Sequence, residues 1–160
     1  MLKPKAAVGS LVTVGLAIAL CMAIALGAAS PAAAGDKTEI LIGANVPLSG
    51  GLSGVGQEQK WAYQTAVDDI NAKGGIFVKS LGKKLPVRLI VADDESDPGK
   101  ASAAVERLIK IKKVDFLLGG FGAALGVIPG CIAAEKHRRL YVTSMCVFPP
   151  WHEQKFKYST

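Results

Sequence analysis

Residues 40–56 constrain the fold of this chain more than any other segment. The near-continuous apolar run of residues 40–46 is followed by a loop rich in proline, serine and glycine, and a helical pattern begins near residues 54–57. A buried strand that leads through a glycine-rich turn into a helix leaves unpaired backbone N–H groups at the helix N-terminus, where the helix dipole favours an anion. This segment therefore predicts a strand–loop–helix unit that can hold a small anionic molecule.

The alternation of strand and helix then repeats along the chain. The strands are predicted at residues 38–46, 87–92, 114–119 and 140–144, and the helices at 56–72, 98–112 and 125–137. Residues 76–86 are predicted to form an irregular or hairpin excursion, with its tip at residues 82–84. Such alternation predicts an α/β fold, a Rossmann-like parallel sheet with helices on both faces. Ligands of these sheets bind beyond the carboxyl ends of the strands, where three loops should converge: 47–57, 120–125 and 143–146.

Helical spacing of apolar residues predicts which faces of the first two helices are buried. The expected buried stripes are Tyr63, Ala66, Val67 and Ile70 in the first helix and Ala101, Ala104, Val105, Leu108 and Ile111 in the second. Trp61 lies on the opposite side of the first helix, which predicts a partly exposed aromatic ring. Gly74 is expected to end that helix in the left-handed conformation.

The N-terminal segment has the pattern of a cleaved export signal. Lys3 and Lys5 precede an uncharged run of residues 6–35, and three alanines at 32–34 provide the small-residue cleavage pattern. A membrane anchor is the alternative, because the run is long enough to span a bilayer. Its richness in alanine and glycine favours a signal peptide over residues 1–34 and a mature domain over residues 35–160 in the periplasm.

Charge and cysteine content narrow the possible partners. The chain has a formal net charge of +6, and two of its lysines leave with the signal. The remaining basic residues are scattered, which argues against nucleic-acid binding. Cys131 and Cys146 remain after export, either as a disulfide, which an oxidising compartment permits, or as two buried thiols.

The acidic residues that follow the second strand are predicted to serve the next helix. Asp93, Asp94, Glu95 and Asp97 could suggest a metal site, but the spacing of a calcium loop is not matched. Asp97 as N-cap, Pro98 at the first helical position and further acids at the positive helix end explain the pattern better. We therefore predict no metal and no cofactor.

Known catalytic and nucleotide-binding motifs each fail at a particular residue. Leu125 replaces the third glycine of a dinucleotide fingerprint, and Gln57 stands where a phosphate-binding loop requires lysine. Val55 replaces the second glycine of a nucleophile elbow around Ser53. The sequence thus favours binding rather than catalysis.

Four motifs in a fixed order then identify a family. They are Gly-Ala-Asn-Val-Pro-Leu-Ser-Gly at 43–50, Val-Asp-Asp-Ile-Asn-x-x-Gly-Gly at 67–75, the acidic run that ends in Asp97-Pro98, and Gly119-Gly120. Together they resemble the leucine/isoleucine/valine-binding type of ABC-transporter substrate-binding proteins, over residues 38–144. The resemblance implies a periplasmic binding protein type I fold, in which two lobes close on a ligand and deliver it to membrane permease subunits. Residues 35–160 would then be an incomplete N-terminal lobe, without its closing strand and without the second lobe.

The resemblance also implies which residues bind the ligand. Backbone N–H groups and serine hydroxyls of the loop after the third strand hold an amino-acid carboxylate in this family. The residues expected at the site are Ser49, Val55, Gly120, Phe121, Gly122, Ala123, Ala124, Thr143, Ser144, Met145 and Cys146. Because Ala123 and Ala124 have no hydroxyl, a less polar or aromatic acid is an alternative to a branched-chain or other amino acid.

Two other classes of function use related folds. A ligand-sensing domain of a receptor or of an amide-responsive regulator would continue into a signalling segment. An exported α/β enzyme would need its nucleophile or acid pair in a further part of the protein. A transport protein would instead end after its second lobe.

Overall fold

The computed structural model describes residues 37–143 and 152–160. Within these residues, the unit Thr38–Thr160 contains six strands and three α-helices. The strands are β1 (Ile40–Val46), β2 (Ile76–Val78), β3 (Lys83–Leu85), β4 (Val87–Asp93), β5 (Phe116–Leu118) and β6 (Tyr141–Val142), and the helices are α1 (Ser53–Ala72), α2 (Pro98–Lys110) and α3 (Ile128–Lys136). The predicted signal peptide at residues 1–34 lies outside the described residues.

Strands β1, β4, β5 and β6 form a parallel sheet in the order β4-β1-β5-β6. All seven residues of β1 pair with β4, from Ile40 opposite Val87 to Val46 opposite Asp93. Strands β2 and β3 form a separate antiparallel hairpin. Its turn is the 3-10 segment Lys79–Leu81 followed by Gly82 at φ +62°, slightly earlier than the predicted tip. The predicted parallel α/β sheet is confirmed.

Helices α2 and α3 cover one face of this sheet. They pack against each other, α2 against β1 and β4, and α3 against β6. The buried residues of this core are Ala92, Ala104, Val105, Leu108, Ile109, Val114, Leu117, Val127, Cys131, Ala133, Ala134 and Tyr141. Cys131 is thus part of the core, whereas Cys146, its predicted alternative partner, lies outside the described residues.

Helix α1 covers the opposite face over β4 and β1. The smaller core beneath it contains Ile40, Val67, Leu85 and Val87. On the same face, the side chains of β5 and β6 are not covered by helix within the described chain: Phe116 is 45% exposed and Val142 is 37% exposed. This face therefore ends in a partly exposed apolar strip.

The narrow contact of α1 corrects part of its predicted buried stripe. Val67 is buried and Tyr63 and Ile70 are half-buried, but Ala66 is exposed. The prediction for Ala66 is wrong because α1 lies along one side of the sheet and buries only a thin line of residues. Trp61 is 71% exposed, as predicted.

The ends of the helices follow the predicted capping pattern with small shifts. The Asp97 carboxylate accepts a hydrogen bond from the Lys100 N–H at 2.8 Å, and Pro98 occupies the first position of α2. Helix α2 ends at Lys110, so Ile111 is 68% exposed and Ile109 replaces it in the core. Gly74 has φ +85°, which confirms its left-handed conformation after α1.

The last residues of the chain extend the sheet beyond β6. The N–H of Tyr141 donates to the carbonyl of Tyr158 at 2.9 Å, and the N–H of Thr160 donates to the carbonyl of Tyr141 at 3.0 Å. Tyr141 and Ser159 form a parallel bridge. Residues 158–160 thus continue the edge of the sheet through a single parallel bridge, and the predicted lack of a full closing strand stays a prediction.

None of the helices in residues 37–143 and 152–160 has the length and apolar character needed to cross a membrane.

Candidate functional site

The parallel strands end at one edge of the sheet, and the loops that follow them are in contact there. A methyl group added to Gly122, in the loop after β5, would lie 3.1 Å from Cδ1 of Leu52, in the loop after β1. A methyl group on Gly119 would lie 3.3 Å from the Cα of Thr143, directly after β6. The predicted convergence of these loops is confirmed for the residues that the structure describes.

Asp93, at the end of β4, fixes the loop after β1. Its Oδ1 accepts hydrogen bonds from the N–H groups of Leu48 (2.9 Å), Ser49 (3.2 Å) and Glu95 (2.8 Å), and its Oδ2 accepts one from the Ser49 hydroxyl (2.7 Å). Burial raises the pKa of Asp93, but these four hydrogen bonds outweigh it and hold the pKa below its usual value. Asp93 therefore remains a carboxylate that binds the loop.

Ser96, in the loop after β4, adds a second link between the two loops. Its hydroxyl donates to the carbonyl of Ser49 at 2.9 Å and accepts from the N–H of Leu52 at 3.0 Å. Because the Ser49 hydroxyl is bonded to Asp93 and its carbonyl to Ser96, Ser49 joins the two loops. The predicted ligand contact of Ser49 stays a prediction.

Helix α1 begins at this edge with unpaired donors. Its N-cap residue, Leu52, provides no side-chain cap, and no acidic residue lies in its described first turn. The N–H of Ser53 bonds to the carbonyl of Gly50 and that of Gly56 to Leu52. Within residues 37–143 and 152–160, this leaves the N–H groups of residues 54 and 55 without an acceptor.

The loop after β5, which we call the glycine loop (residues 119–122), leads into a second helix start. The π-helical turn Ala123–Val127 precedes α3, and the N–H groups of Gly126 and Val127 both donate to the carbonyl of Gly122 at 2.8 and 3.1 Å. The N–H groups of residues 123–125, in the first turn, have no intrahelical acceptor. Gly122 has φ +80°, a conformation that residues with a side chain rarely adopt.

Side chains of α1 hold the glycine loop from the partly covered face of the sheet. The hydroxyl of Tyr63 donates to the carbonyl of Gly119 at 2.7 Å, and Nε2 of Gln59 donates to the same oxygen at 3.1 Å. Helix α1 thus provides N–H groups at its start and supports the neighbouring loop with its second and third turns.

Three buried polar side chains, which we call the polar triad (Asn45, Asp94 and Tyr141), lie beneath the loops. The hydroxyl of Tyr141 donates to Oδ1 of Asn45 at 2.7 Å, and Nδ2 of Asn45 donates to Oδ2 of Asp94 at 3.1 Å. Each of the three is at most 1% exposed. Burial raises the pKa of Asp94, and the hydrogen bonds from Ser96 and Asn45 offset only part of this rise.

The structure brings most of the predicted site residues to one edge of the sheet. Val55 and Thr143 are half-buried there, close to the loop and turn that contain five others: Gly120, Phe121, Gly122, Ala123 and Ala124. Ser49 belongs to the loop–loop link described above. Ser144, Met145 and Cys146 lie outside the described residues, so their predicted role stays a prediction.

The residues that support the site were not recognised in the sequence. Asp93 and Asp94 were expected to favour the start of α2, but only Asp97 caps that helix. Asp93 and Asp94 instead bond back to the loop after β1 and to Asn45. Their position directly at the end of a strand, before the loop, was the available signal.

The acidic residues near the site were considered above as possible metal ligands. No group of three or more histidine, cysteine, aspartate or glutamate side chains in this part of the chain is arranged to hold a metal ion. The carboxylates of Asp93 and Asp94 are bonded to protein donors instead.

The sequence is similar to periplasmic binding proteins. A family model described as periplasmic binding protein matches residues 39–159. The Leu/Ile/Val-binding protein homolog 7 of Brucella melitensis is 34% identical over 110 residues, which cover 69% of this chain and 25% of the relative. The Leu/Ile/Val-binding protein BraC3 of Rhizobium johnstonii is 33% identical over 97 residues, which cover 61% of this chain and 24% of the relative.

A solved structure agrees with these sequence relatives. It is the substrate-binding protein LivJ of a branched-chain amino acid transporter from Streptococcus pneumoniae, in complex with isoleucine. The TM-score is 0.66 at 25% identity, and the match covers 77% of this chain and 33% of LivJ. The chain thus spans about a quarter of the length of the curated relatives and a third of this structure.

Proposed function

The chain belongs to the periplasmic binding protein family, and on this premise we propose that it forms one wall of the ligand cleft of an ABC-transporter substrate-binding protein. The supporting observation is the contact between the starts of two helical segments. The loop before α1 and the glycine loop meet through Leu52 and Gly122, and both are followed by N–H groups without intrahelical acceptors. These N–H groups are the proposed hydrogen-bond donors to the ligand.

The ligand that fits these donors is a small molecule with a carboxylate. N–H groups at a helix start bind anions, and the helix dipole adds to the attraction. The donors are those of residues 54 and 55 and of the turn that contains Ala123 and Ala124. An amino-acid carboxylate placed between them would need no cationic side chain from this chain. Branched-chain amino acids are the first ligands to test, because the relatives carry Leu/Ile/Val-binding in their names and the LivJ structure contains isoleucine.

The side chains around the donors favour a second ligand class. Val55, Phe121, Ala123 and Ala124 contribute no hydroxyl or amide group. An aromatic or aliphatic acid fits such a site, because main-chain N–H groups can bind its carboxylate and apolar side chains can pack against the rest of the molecule. A further polar group on the ligand would find no hydrogen-bond partner among these side chains. Amino acids and the less polar acids both have a carboxylate. They differ in the amino group, which the rest of the protein would have to bind.

Binding and delivery, rather than chemical conversion, is the proposed role. The protein would act outside the cytoplasmic membrane and pass its ligand to the permease subunits of the transporter. The charged groups at the site are committed to holding loops, as Asp93 illustrates with its four hydrogen bonds. They are therefore poorly placed to serve as a general base.

Isothermal titration of the full-length protein tests this proposal. The panel is L-leucine, L-isoleucine, L-valine, benzoate and phenylacetate, with leucinamide as the analogue that lacks a carboxylate. We expect at least one acid to bind and leucinamide to bind at least about tenfold more weakly than leucine if leucine binds. Tight binding of leucine would reject the preference for less polar acids, and failure of every acid would reject the carboxylate proposal.

A matched pair of variants tests the position of the carboxylate. Ala124 is exposed in the first turn of the π-helical segment, so a side chain there can reach solvent. Ala124→Glu places a negative charge beside the proposed donors, and we expect it to weaken binding of the acid about tenfold or more through charge repulsion. Ala124→Gln has nearly the same shape without the charge and should bind within about threefold of the wild type. Equal affinities of the two variants would contradict the proposed position.

A further inference from the structure

The polar triad lies directly beneath the glycine loop and is connected to it by a hydrogen bond. The hydroxyl of Tyr141 accepts from the N–H of Gly120 at 3.4 Å while it donates to Asn45. Asn45 in turn donates to Asp94 and, at 3.4 Å, to the carbonyl of Gly126 in the π-helical turn. One connected network therefore contacts both ends of the segment that carries the proposed donors.

The directions of these hydrogen bonds are mutually consistent. Asp94 accepts from Asn45 at one oxygen and from the N–H of Ser96 at the other, at 3.1 Å. The Asp94 acceptor therefore orients the Asn45 amide group, whose oxygen then faces the Tyr141 hydroxyl. That hydroxyl keeps its proton because burial raises the pKa of Tyr141 well above its usual value. Its remaining lone pair is directed to Gly120.

Close packing of glycines around the triad leaves the loop little freedom to move. A methyl group on Gly120 would lie 2.5 Å from the Asn45 carbonyl oxygen and 3.0 Å from Oδ2 of Asp94. A methyl group on Gly130 would lie 2.5 Å from the Tyr141 hydroxyl, and one on Gly126 would lie 3.1 Å from Oδ2 of Asp94. The groups beneath this segment therefore favour glycine at positions 120, 126 and 130.

We propose that Asp94, Asn45 and Tyr141 are positioning residues that hold the glycine loop and the following turn in the shape that presents their N–H groups to the ligand. This inference rests on the proposed function for the identity of the ligand contact. The positioning itself can be measured without any ligand, because it predicts which amide hydrogen each triad residue protects.

Hydrogen exchange of the full-length protein labelled with ¹⁵N-glycine measures that protection. Tyr141→Phe keeps the ring and removes only the hydroxyl, so the Gly120 N–H loses its acceptor. We expect exchange of Gly120 to accelerate at least about tenfold. The Gly119 N–H, which donates to the Val142 carbonyl at 2.7 Å, is the internal control and should change less than about threefold.

A second pair of variants tests the triad through its far end. Asp94→Asn leaves one acceptor oxygen for Nδ2 of Asn45 and turns its NH2 group to the N–H of Ser96, whereas Asp94→Ala removes both acceptors. Exchange of Gly120 should rise at least about tenfold in Asp94→Ala and clearly less in Asp94→Asn, which loses only one of the two Asp94 acceptors. Val87→Ala, at the start of β4 in the core beneath α1, controls for loss of stability alone and should accelerate Gly119 and Gly120 equally.

Titration of the same variants with L-leucine and benzoate separates this inference from the proposed function. With Tyr141→Phe, a selective acceleration at Gly120 together with an affinity about tenfold lower for whichever acid the wild type binds supports the inference. An unchanged Gly120, or equal behaviour of Asp94→Asn and Asp94→Ala, overturns it even if the wild type binds ligand. A wild type that binds neither acid counts against the proposed function, while the exchange rates still decide whether the triad positions the loop.

Discussion

Asp93 and Asp94 are adjacent in sequence, but their carboxylates lie in different environments. Asp93 is half-buried and accepts four hydrogen bonds, so its pKa is lowered despite partial burial. Asp94 is 1% exposed and lies between Asn45 and the N–H of Ser96, so burial prevails and its pKa is raised. Because successive side chains of extended backbone point to opposite faces, Asp93 bonds to the loop after β1, whereas Asp94, directly after β4, bonds to Asn45 beneath the glycine loop.

The raised pKa of Asp94 predicts how stability depends on pH. Below its unfolded pKa of about 4, Asp94 is protonated in both states. As pH rises from there through the folded pKa, the unfolded chain loses this proton first, so the contribution of Asp94 to stability falls by about 1.4 kcal/mol for each unit of pKa elevation. Within the triad, Tyr141 is the titratable group beside Asp94, and Asp93, Tyr63 and Cys131 are titratable groups that face the triad from the neighbouring elements.

Asp94→Asn removes this titration and keeps the side-chain size. We expect the melting temperature of the variant to rise relative to the wild type between about pH 4 and pH 7, whatever their difference at pH 4. Differential scanning calorimetry of the full-length protein at several pH values measures it. A difference between the two proteins that is constant across this range would mean that Asp94 is not raised in the folded state.

At the scale of elements, the start of α1 requires glycine at position 56 but not at position 54. A methyl group on Gly56 would lie 1.9 Å from the carbonyl oxygen of Pro47, whereas one on Gly54 would have nothing within 4 Å. Gly56→Ala should therefore destabilise the protein by about 2–4 kcal/mol or displace the loop after β1. Gly54→Ala should be neutral or stabilise it by up to about 1 kcal/mol, because alanine is the better helix former.

Chemical denaturation of the two glycine variants measures this difference. A further measurement, titration with a bound acid, should show weaker binding for Gly56→Ala, since the loop carries the donors at the start of α1. Similar stabilities of Gly54→Ala and Gly56→Ala would show that the loop can shift away from Gly56 at little cost.

The elements could be predicted from sequence where local signals were strong. The apolar run of β1, the Asp97-Pro98 start of α2 and the left-handed Gly74 each depend on residues close in sequence, and each is confirmed. The exposure of Ala66 could not be predicted, because it depends on where α1 lies on the sheet rather than on helical spacing.

The same distinction applies to the candidate site. The loops that carry it follow from the rule that ligands bind beyond the carboxyl ends of parallel strands. The polar triad joins residues 45, 94 and 141, which come together only through the strand order β4-β1-β5-β6. Asn45 within an apolar strand was a visible anomaly, but its partners depend on a pairing that the sequence does not specify locally.

At the scale of the whole molecule, one face of the sheet is incompletely covered by the residues that the structure describes. Phe116, Leu140 and Val142 are 45%, 44% and 37% exposed on or beside β5 and β6. Contiguous exposed apolar surface of this kind promotes association. The chain spans about a quarter of the length of its curated relatives, and we propose that structure from the rest of the full-length protein covers this face.

A polypeptide of residues 35–160 should therefore behave differently from the full-length protein. We expect it to bind a hydrophobic dye such as ANS severalfold more strongly per molecule and to associate at micromolar concentration. Phe116→Lys in this polypeptide should reduce both effects, whereas Trp61→Lys, on the exposed side of α1, should reduce them less. A monomeric polypeptide with no added dye binding would show that this face needs no further cover.

The central claim is that main-chain N–H groups at the ends of parallel strands hold the carboxylate of the ligand. The crystal structure of the full-length protein with its tightest-binding acid tests this claim most directly. We predict a carboxylate oxygen at a hydrogen-bond distance of about 2.7–3.2 Å from the N–H of Val55 and from that of Ala123 or Ala124. A ligand bound away from residues 47–57 and 119–125, or held there only by side chains, would contradict it.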